Sequence, residues 1–559
     1  MPDVSLSHGS VGFVFCAWML PVRAKDTQFS CGRTTRVSYS GTGYSVLLMP
    51  TNHTSTAVST SEHNSGSRDA GDAATRSPVF GIWFGVVLLI ATLLRTYKLG
   101  NKSFWLDEAA SSMLARSDWH TFLNALVHRQ ANMTLYYLVL RGWIHLGNSE
   151  TSVRLLSVLF GVASIPLMYQ LAAYIFGHKT ARVAALLLGV HQFHIQYSQE
   201  ARGYSLLVFL GLLSCYLFVQ LLTTDRKIWL AYVLTNVLVI YAHVFGAWVL
   251  IGQWIFVIIS PTSRPIRNRM MRAAGAIVLL ALPLAASLLL FSTRSQLSWI
   301  NQNSASGLYR LLQDFTGNGG NYLMIVELAP IFGSLYFHFR GPRPARDTPT
   351  YMFVWIWLLV PVVTVAIASL RWPLLQSRYL IVCLPPFLML VADGLVHVRS
   401  RVVFATALMA VVAFSLVGVS SYFEQRKDLA HSDDWRDATQ YILSEAQSGD
   451  AVLFPYSAEE IPFRDYEDRF AKAGPDLTLL PRLTDLELLG TPGSWTPPEV
   501  AANGAHEFAR VWVITALQPT EASRHLQVQL SHSFGEASER SFGFVTTKLL
   551  VRSNIDHGP

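Results

Sequence analysis

"MTLYYLVLRGWIHLG", residues 133–147, is a mostly apolar run interrupted by Arg141 and His145. Counted as a membrane span, it turns every later loop inside out; counted as a helix outside the hydrocarbon, it leaves them consistent. Charge decides between the two. Apolar runs recur at 78–97, 152–176, 180–197, 203–222, 228–243, 245–260, 273–292, 321–338, 350–370, 378–396 and 402–420, many near the ~20 residues that a helix needs to cross a bilayer. Every second connection is basic: Lys179 and Arg182; Arg226 and Lys227; Arg264, Arg267, Arg269 and Arg272; Arg340, Arg343 and Arg346; Arg399 and Arg401. Basic loops stay in the cytoplasm, so eleven spans with the N-terminus inside satisfy all five loops, provided that 133–147 does not cross. That run is expected to be a juxtamembrane or re-entrant helix in a long first external loop, 98–151. "DWHTFLNALVHR" (118–129) places Trp119, Phe122, Leu123 and Leu126 on one helical face and is expected to be a second helix lying in the interface.

The composition agrees with a polytopic α-helical membrane protein. Of 559 residues, 51% are hydrophobic and 14% charged, against roughly 25% charged in a soluble domain. The net charge of +7 reads as an orientation signal rather than a nucleic-acid surface. Cys16, Cys31, Cys215 and Cys383 lie far apart with no CxxC pair, which indicates neither a metal knuckle nor a disulfide framework. Residues 1–77 are rich in Ser, Thr and Gly and are expected to be a disordered tail. "VGFVFCAWMLPV" (11–22) has the apolar core of a signal peptide without a preceding basic region or a small-residue cleavage site; an overcalled start, with the protein beginning near Ser77, is the alternative.

With this topology the polar residues converge on the outer side. "SFWLDEAASS" (103–112) leaves the first span and presents Asp107 and Glu108; the same loop carries Arg129, Asn132, Arg141 and Glu150. "YSQEARGYS" adds Glu200 and Arg202, "YAHVFG" adds His243, and "LRWPLLQSRYL" adds Arg371 and Arg378. Taken singly, the arginines read equally as headgroup anchors and Glu200 with Arg202 as a structural ion pair. His191, His194 and His243 read as satisfied interfacial residues rather than metal ligands. Together they suit sugar transfer from a lipid phosphate. The leaving phosphate needs planar, permanently charged arginines. An acceptor hydroxyl attacking the anomeric carbon needs a general base, and a partly desolvated carboxylate can serve. The acids could bind a divalent cation, but no spacing demands one.

These segments resemble, in order, the GT-C superfamily of membrane glycosyltransferases: "SFWLDEAASS", "LYYLVLRGWIHLGNSETSVRLLSVLFG", "YQLAAYIFGHKTARVAALLLGVHQFHIQYSQEARGYSLL", "YAHVFG" and "SRYLIVCLPPFLML". The branch they are most similar to is family 39-like, the protein O-mannosyltransferases and the lipid A aminoarabinose transferase. The resemblance covers roughly 78–420. It implies a GT-C fold and an inverting transfer from a polyprenyl-phosphate sugar to an extracytoplasmic acceptor, which could be a protein, a glycolipid or a polysaccharide, at the outer face of an inner membrane. It further implies that Asp107 is the base with Glu108 its acidic neighbour, that Glu200 and Arg202 sit near sugar and acceptor, and that Arg378 meets the donor phosphate. One departure stands out. Relatives carry Asn-Pro-Pro or Lys-Pro-Pro before "LYY"; here the chain reads "NMTLYY", with Met133 and Thr134, which loosens a rigid turn and opens a sequon at Asn132.

From 421 onward the pattern changes to a small extracytoplasmic α/β domain, with a helix expected at 434–447 and strands at 451–455, 509–515, 526–534 and 543–553. It reads as an acceptor-binding module or a structural cap. Rival readings for the whole chain are a lipid-linked sugar transporter, a polysaccharide ligase or polymerase with a pyrophosphate donor, and a degenerate scaffold. Acids placed in loops and the absence of a repeat between the halves argue against the transporter.

Overall fold

The computed structural model describes residues 78–223, 228–291, 304–340, 348–371, 374–425, 433–470, 474–490, 493–516 and 521–553. The expectations for 1–77, for the loop cations Arg226, Lys227, Arg343 and Arg346, and for much of the 293–320 loop lie outside these.

Each of the eleven apolar runs coincides with helix. The chain forms α1 (Pro78–Thr96), α2 (Leu106–Arg116), α3 (Trp119–His128), α4 (Thr134–Trp143), α5 (Glu150–Phe176), α6 (His178–Val190), α7 (Gln192–Ser198) and α8 (Tyr204–Thr223). It continues with α9 (Trp229–Ala242), α10 (Ala247–Ile259), α11 (Arg264–Phe291), α12 (Ser304–Phe315), α13 (Asn321–Arg340), α14 (Thr348–Ala368), α15 (Leu384–Val396) and α16 (Arg401–Gln425). Among the described residues, seven segments are long and apolar enough to cross a membrane, including Glu150–Phe176, Tyr204–Leu222 and Ser377–Val396. This is a multi-pass integral membrane protein. Its outer helices α11, α13 and α16 display bare apolar side chains, such as Leu289 (85% exposed) and Val402 (75%), a surface that only lipid solvates comfortably.

The deciding run 133–147 forms the ten-residue α4 and a 3-10 turn, Ile144–Leu146. At 1.5 Å per residue it spans about 15 Å, half a bilayer core. It packs on α2 and α9. The 118–129 run forms α3, with Asp118 accepting from the His120 and Thr121 N–H groups, but its expected face is corrected. Phe122, Ala125 and Leu126 are buried, while Trp119 (59% exposed), Leu123 and Val127 point outward. The apolar residues form two stripes, one for the core and one for the outside.

The expected span 180–197 is two helices, broken at His191, whose extended backbone ends α6. The carbonyls freed there are taken by the buried Arg95 of α1, which donates to Leu188 O (3.1 Å), Gly189 O (2.8 Å) and His194 Nδ1 (2.8 Å). His191 Nε2 lies 2.9 Å from Phe315 O. Both histidines are therefore part of the packing. Cys215 and Cys383 are buried free thiols.

The C-terminal region, from α17 (Trp435–Glu445) onward, holds a mixed five-stranded sheet. Its strands are β1 (Ala451–Leu453), β2 (Thr478–Leu480), β3 (Arg510–Thr515), β4 (Phe534–Phe542) and β5 (Val545–Arg552), in the order β2-β1-β3-β5-β4. β1 runs parallel to β2 and β3; β5 is antiparallel to β3 and β4. The remaining helices are α18 (Glu460–Phe470), α19 (Asp485–Gly490), α20 (Pro498–Ala505) and α21 (Glu521–Ser531). The strand expected at 526–534 is instead the end of α21. "LQVQL" alternates like a strand, but Leu526 and Leu530 are buried while Val528 is 58% exposed, which is the helical i, i+4 period.

This region is bolted to the first loop. The buried Asp465 of α18 pairs with Arg116 (2.5 Å) and Arg469 (2.8 Å), and Arg469 donates onward to Ser112 Oγ on α2 (2.8 Å). Arg436 pairs with Glu150 at 2.7 Å. The Tyr466 hydroxyl accepts from Phe104 N–H (2.6 Å) and donates to Glu150.

Candidate active site

Asp107 and Glu108 occupy the first turn of α2, directly after the extended Trp105, where the helix dipole favours negative charge. "WLDE" is thus a helix start rather than a loop, and the turn sends the two neighbouring carboxylates to different environments.

Glu108 is buried. It takes Arg154 of α5 in a bidentate pair, Nε–Oε1 2.8 Å and Nη2–Oε2 2.6 Å, and accepts from the Ala201 N–H at 2.8 Å. Arg154 spends its other N–H groups on the carbonyls of Leu99, Lys102 and Ser103. One carboxylate and one guanidinium therefore fasten together the exit of α1, the start of α5 and the 199–203 turn.

Asp107 is different: its side chain is 34% exposed and its Oδ2 stands 3.7 Å from Arg202 Nη2. Arg202 is itself fixed, since Nη1 donates to Tyr137 Oη (2.9 Å), Ser111 Oγ (3.3 Å) and the Asp107 carbonyl (3.3 Å). Arg129 and Arg378 lie within electrostatic reach of Asp107. Burial draws the pKa of Arg129 down, opposed by Tyr456, Asp107 and Tyr137, and its Nη1 is buried with no hydrogen-bond partner among the described residues. His243 closes the group. Its Nδ1 accepts from Phe245 N–H (3.2 Å) and its ring packs on Tyr204 and Tyr379, while Nε2 has no partner among the described residues.

A cavity of about 370 Å³ lies beside this group, between the bundle and the sheet region. Glu200, Lys102, Trp105 and Arg378 line it from the bundle side, Asp433 and Phe544 from the other. Burial, and after it the charge of Glu108, pushes the Glu200 carboxyl up to about 7 against the pull of Arg378 and Lys102. Asp433 is raised by burial as well.

The structure thus brings together Asp107, Arg202, Arg378 and His243, with Glu200 facing the adjoining cavity. Of the sequence candidates, Arg371 stands apart. Arg371 is exposed, just past the end of α14. Asn132 sits in a 3-10 turn (Ala131–Met133), close in sequence to Gln130, which accepts from Tyr137. That turn is where the two prolines are replaced. It is pinned by Thr134 Oγ1 donating to Ala131 O (2.9 Å) and by the fully buried Met133. Arg129 was among the first-loop residues expected on this side, whereas Lys102, Tyr137 and Asp433 were not singled out from sequence. Lys102 is a loop cation just before the "WLDE" element, a usable signal, whereas nothing in "HSDDWRD" marks Asp433. Among the described residues no three His, Cys, Asp or Glu side chains converge as ligands for a metal ion.

Residues 131–287 match the family model described as "Dolichyl-phosphate-mannose-protein mannosyltransferase". The chain is similar in structure to ArnT from Cupriavidus metallidurans in the apo state, at TM-score 0.59 and 13% identity over 86% of this chain and 100% of that one. It is also similar to the same protein bound to undecaprenyl phosphate, at TM-score 0.57 and 12% identity over 87% and 100%. The chain has an ArnT-like fold. The arabinofuranosyltransferase AftD from Mycobacteria, at TM-score 0.50 and 14% identity, matches 85% of this chain and 40% of its own. No curated protein is significantly similar in sequence. The family-matched segment contains Tyr137, Arg154, Glu200, Arg202 and His243, whereas Asp107, Glu108 and Arg378 fall outside it.

Proposed function

We propose that this chain is an inverting glycosyltransferase that moves a sugar from a polyprenyl-phosphate donor to an acceptor on the extracytoplasmic face. The observation that carries the reading is the open pair Asp107–Arg202, a partly exposed carboxylate held 3.7 Å from a buried, fully oriented guanidinium, next to the closed pair Glu108–Arg154. The family match and the capture of ArnT with undecaprenyl phosphate support the donor class.

In the proposed step the acceptor oxygen attacks the anomeric carbon from the side opposite the phosphate. The new C–O bond forms as the sugar–phosphate C–O bond breaks, and the electron pair leaves with the phosphate. The acceptor's proton passes to Asp107, which Arg202 orients from 3.7 Å. Arg378 and Arg129 offer the departing phosphate a cationic seat, and phosphate needs no protonation to leave. Eleven spans, a cytoplasmic N-terminus and a division into 1–77, 78–420 and 421–559 complete the proposal. The 370 Å³ cavity, floored by Glu200 and roofed by Asp433, is the place for the acceptor.

The test is turnover in membranes with a panel of polyprenyl-phosphate hexose and pentose donors, comparing wild type with Asp107→Asn. Activity in wild type that collapses in the variant while donor binding survives is the expected result. Equal turnover in both removes Asp107 as the base, and no turnover with any donor in a folded wild type removes the reading.

A further inference from the structure

At the opposite end of the bundle from Asp107 lies a second cavity, about 490 Å³. The 27-residue α5, whose first residue Glu150 sits beside Tyr466 near the active site, ends at Phe176 close to it, about 40 Å away at 1.5 Å per residue. The starts of α6 and α16 and the end of α15 form its walls. They contribute Lys179, Arg182, Arg399 and Arg401 and not one carboxylate. Among the described residues Lys179, Arg399 and Arg401 make no ion pair, and all three are exposed. α6 and α16 also bring their N-termini here, adding the free N–H groups and positive dipole ends that favour an anion.

The orientation signal explains why these residues are basic. It does not explain why four of them, from two stretches of chain more than 200 residues apart, surround one concavity with an apolar floor. That floor contains Trp83, Leu186 and Phe404. It continues onto the outward faces of α1 and α16, where Ile82 (69% exposed) and Val402 (75%) are bare. A soluble anion has no use for such a floor, whereas a molecule with a phosphate at one end and hydrocarbon at the other matches both halves. Basic pockets between membrane helices recognise headgroups in this way.

We infer that this cavity binds the phosphate headgroup of an anionic phospholipid, its acyl chains lying along α1 and α16. Arg399 and Arg401 hold the phosphate, and Trp83 sits at the glycerol level where indoles favour the interface. The site is remote from Asp107 and independent of the proposed transferase activity.

Full-length protein in detergent, titrated with dioleoyl phosphatidylglycerol and examined by native mass spectrometry, tests this. Wild type is expected to retain phosphatidylglycerol at least tenfold more tightly than phosphatidylcholine. Arg399→Gln with Arg401→Gln is expected to lose that preference at unchanged thermal stability, and Trp83→Ala to weaken retention several-fold. Arg264→Gln with Arg267→Gln, exposed on α11 outside the cavity, is the charge-matched control and should behave as wild type. Equal loss in that control would reduce the effect to diffuse charge and overturn the site. Unchanged retention in the Arg399/Arg401 double variant, or no preference in wild type, would also overturn it. Displacement by low-millimolar inorganic phosphate would reassign the cavity to a free anion and overturn the lipid.

Discussion

Two arginine–carboxylate pairs start from adjacent residues of one helix turn and end in opposite regimes. Glu108–Arg154 is sealed, bidentate and saturated with backbone partners; Asp107–Arg202 is open to solvent on the acid's side and 3.7 Å apart. The comparison separates two uses of the same chemistry. A buried pair held by a bidentate contact and a backbone N–H is costly to break. A carboxylate that keeps one face open, beside a cation held through Nη1 by Tyr137 and Ser111, is available to accept a proton.

Breaking the sealed pair should have the largest effect. Arg154→Ala strands the Glu108 charge and frees three carbonyls, and is expected to cost about 3–5 kcal/mol, read as a drop in thermal unfolding temperature or as loss of folded protein. Asp107→Asn should leave unfolding unchanged to within about 1 kcal/mol and lower turnover about 10²–10⁴-fold. If Asp107→Asn instead unfolds the protein, or Arg154→Ala leaves it intact, the contrast between the pairs is wrong. A third change probes the support of both. Asp465→Asn loosens the joint to Arg116 and Arg469 and should cost about 2 kcal/mol, less than Arg154→Ala because Arg116 keeps Asp468. The expected readout is easier proteolysis between the bundle and the sheet region, with turnover lowered alongside.

The smallest effect is a pH dependence. The Glu200 carboxyl, raised by burial to about 7 from an ordinary 4.5, binds its proton more tightly folded than unfolded. Its contribution to stability is therefore fully present below about pH 4.5 and is lost as pH rises towards 7. Glu200→Gln should flatten that part of the curve. An identical slope in the variant would assign the dependence to another group, Asp433 first.

Apolar length carried most of the bundle. Runs such as 204–222 can do little but form buried helix, so they were legible without any partner. The break at His191 was not, because it depends on Arg95, far away in sequence, reaching over to take the freed carbonyls. The same limit applies to the site. Asp107, Arg202 and Arg378 were found because acids and arginines at a membrane surface are conspicuous. Which of Asp107 and Glu108 is sealed depends on Arg154, 46 residues further on, which nothing local to "WLDE" marks as the partner. Arg371 looked equivalent to Arg378 and is not, since α14 ends before it and leaves it outside. In the C-terminal region "LQVQL" fitted both periods, and only packing of Leu526 and Leu530 chose the helix.

The joint between α2 and Asp465 also sets an order of events. Arg116 emerges from the ribosome 349 residues before Asp465, which at ~5–20 residues per second is a delay of roughly 20–70 s. Throughout that interval the helix bearing Asp107 lacks its outer brace. The newborn bundle can meet lipid in the membrane well before Asp107 is locked in place, so synthesis of the Asp465 helix acts as the chain's own timer for assembling this corner of the fold.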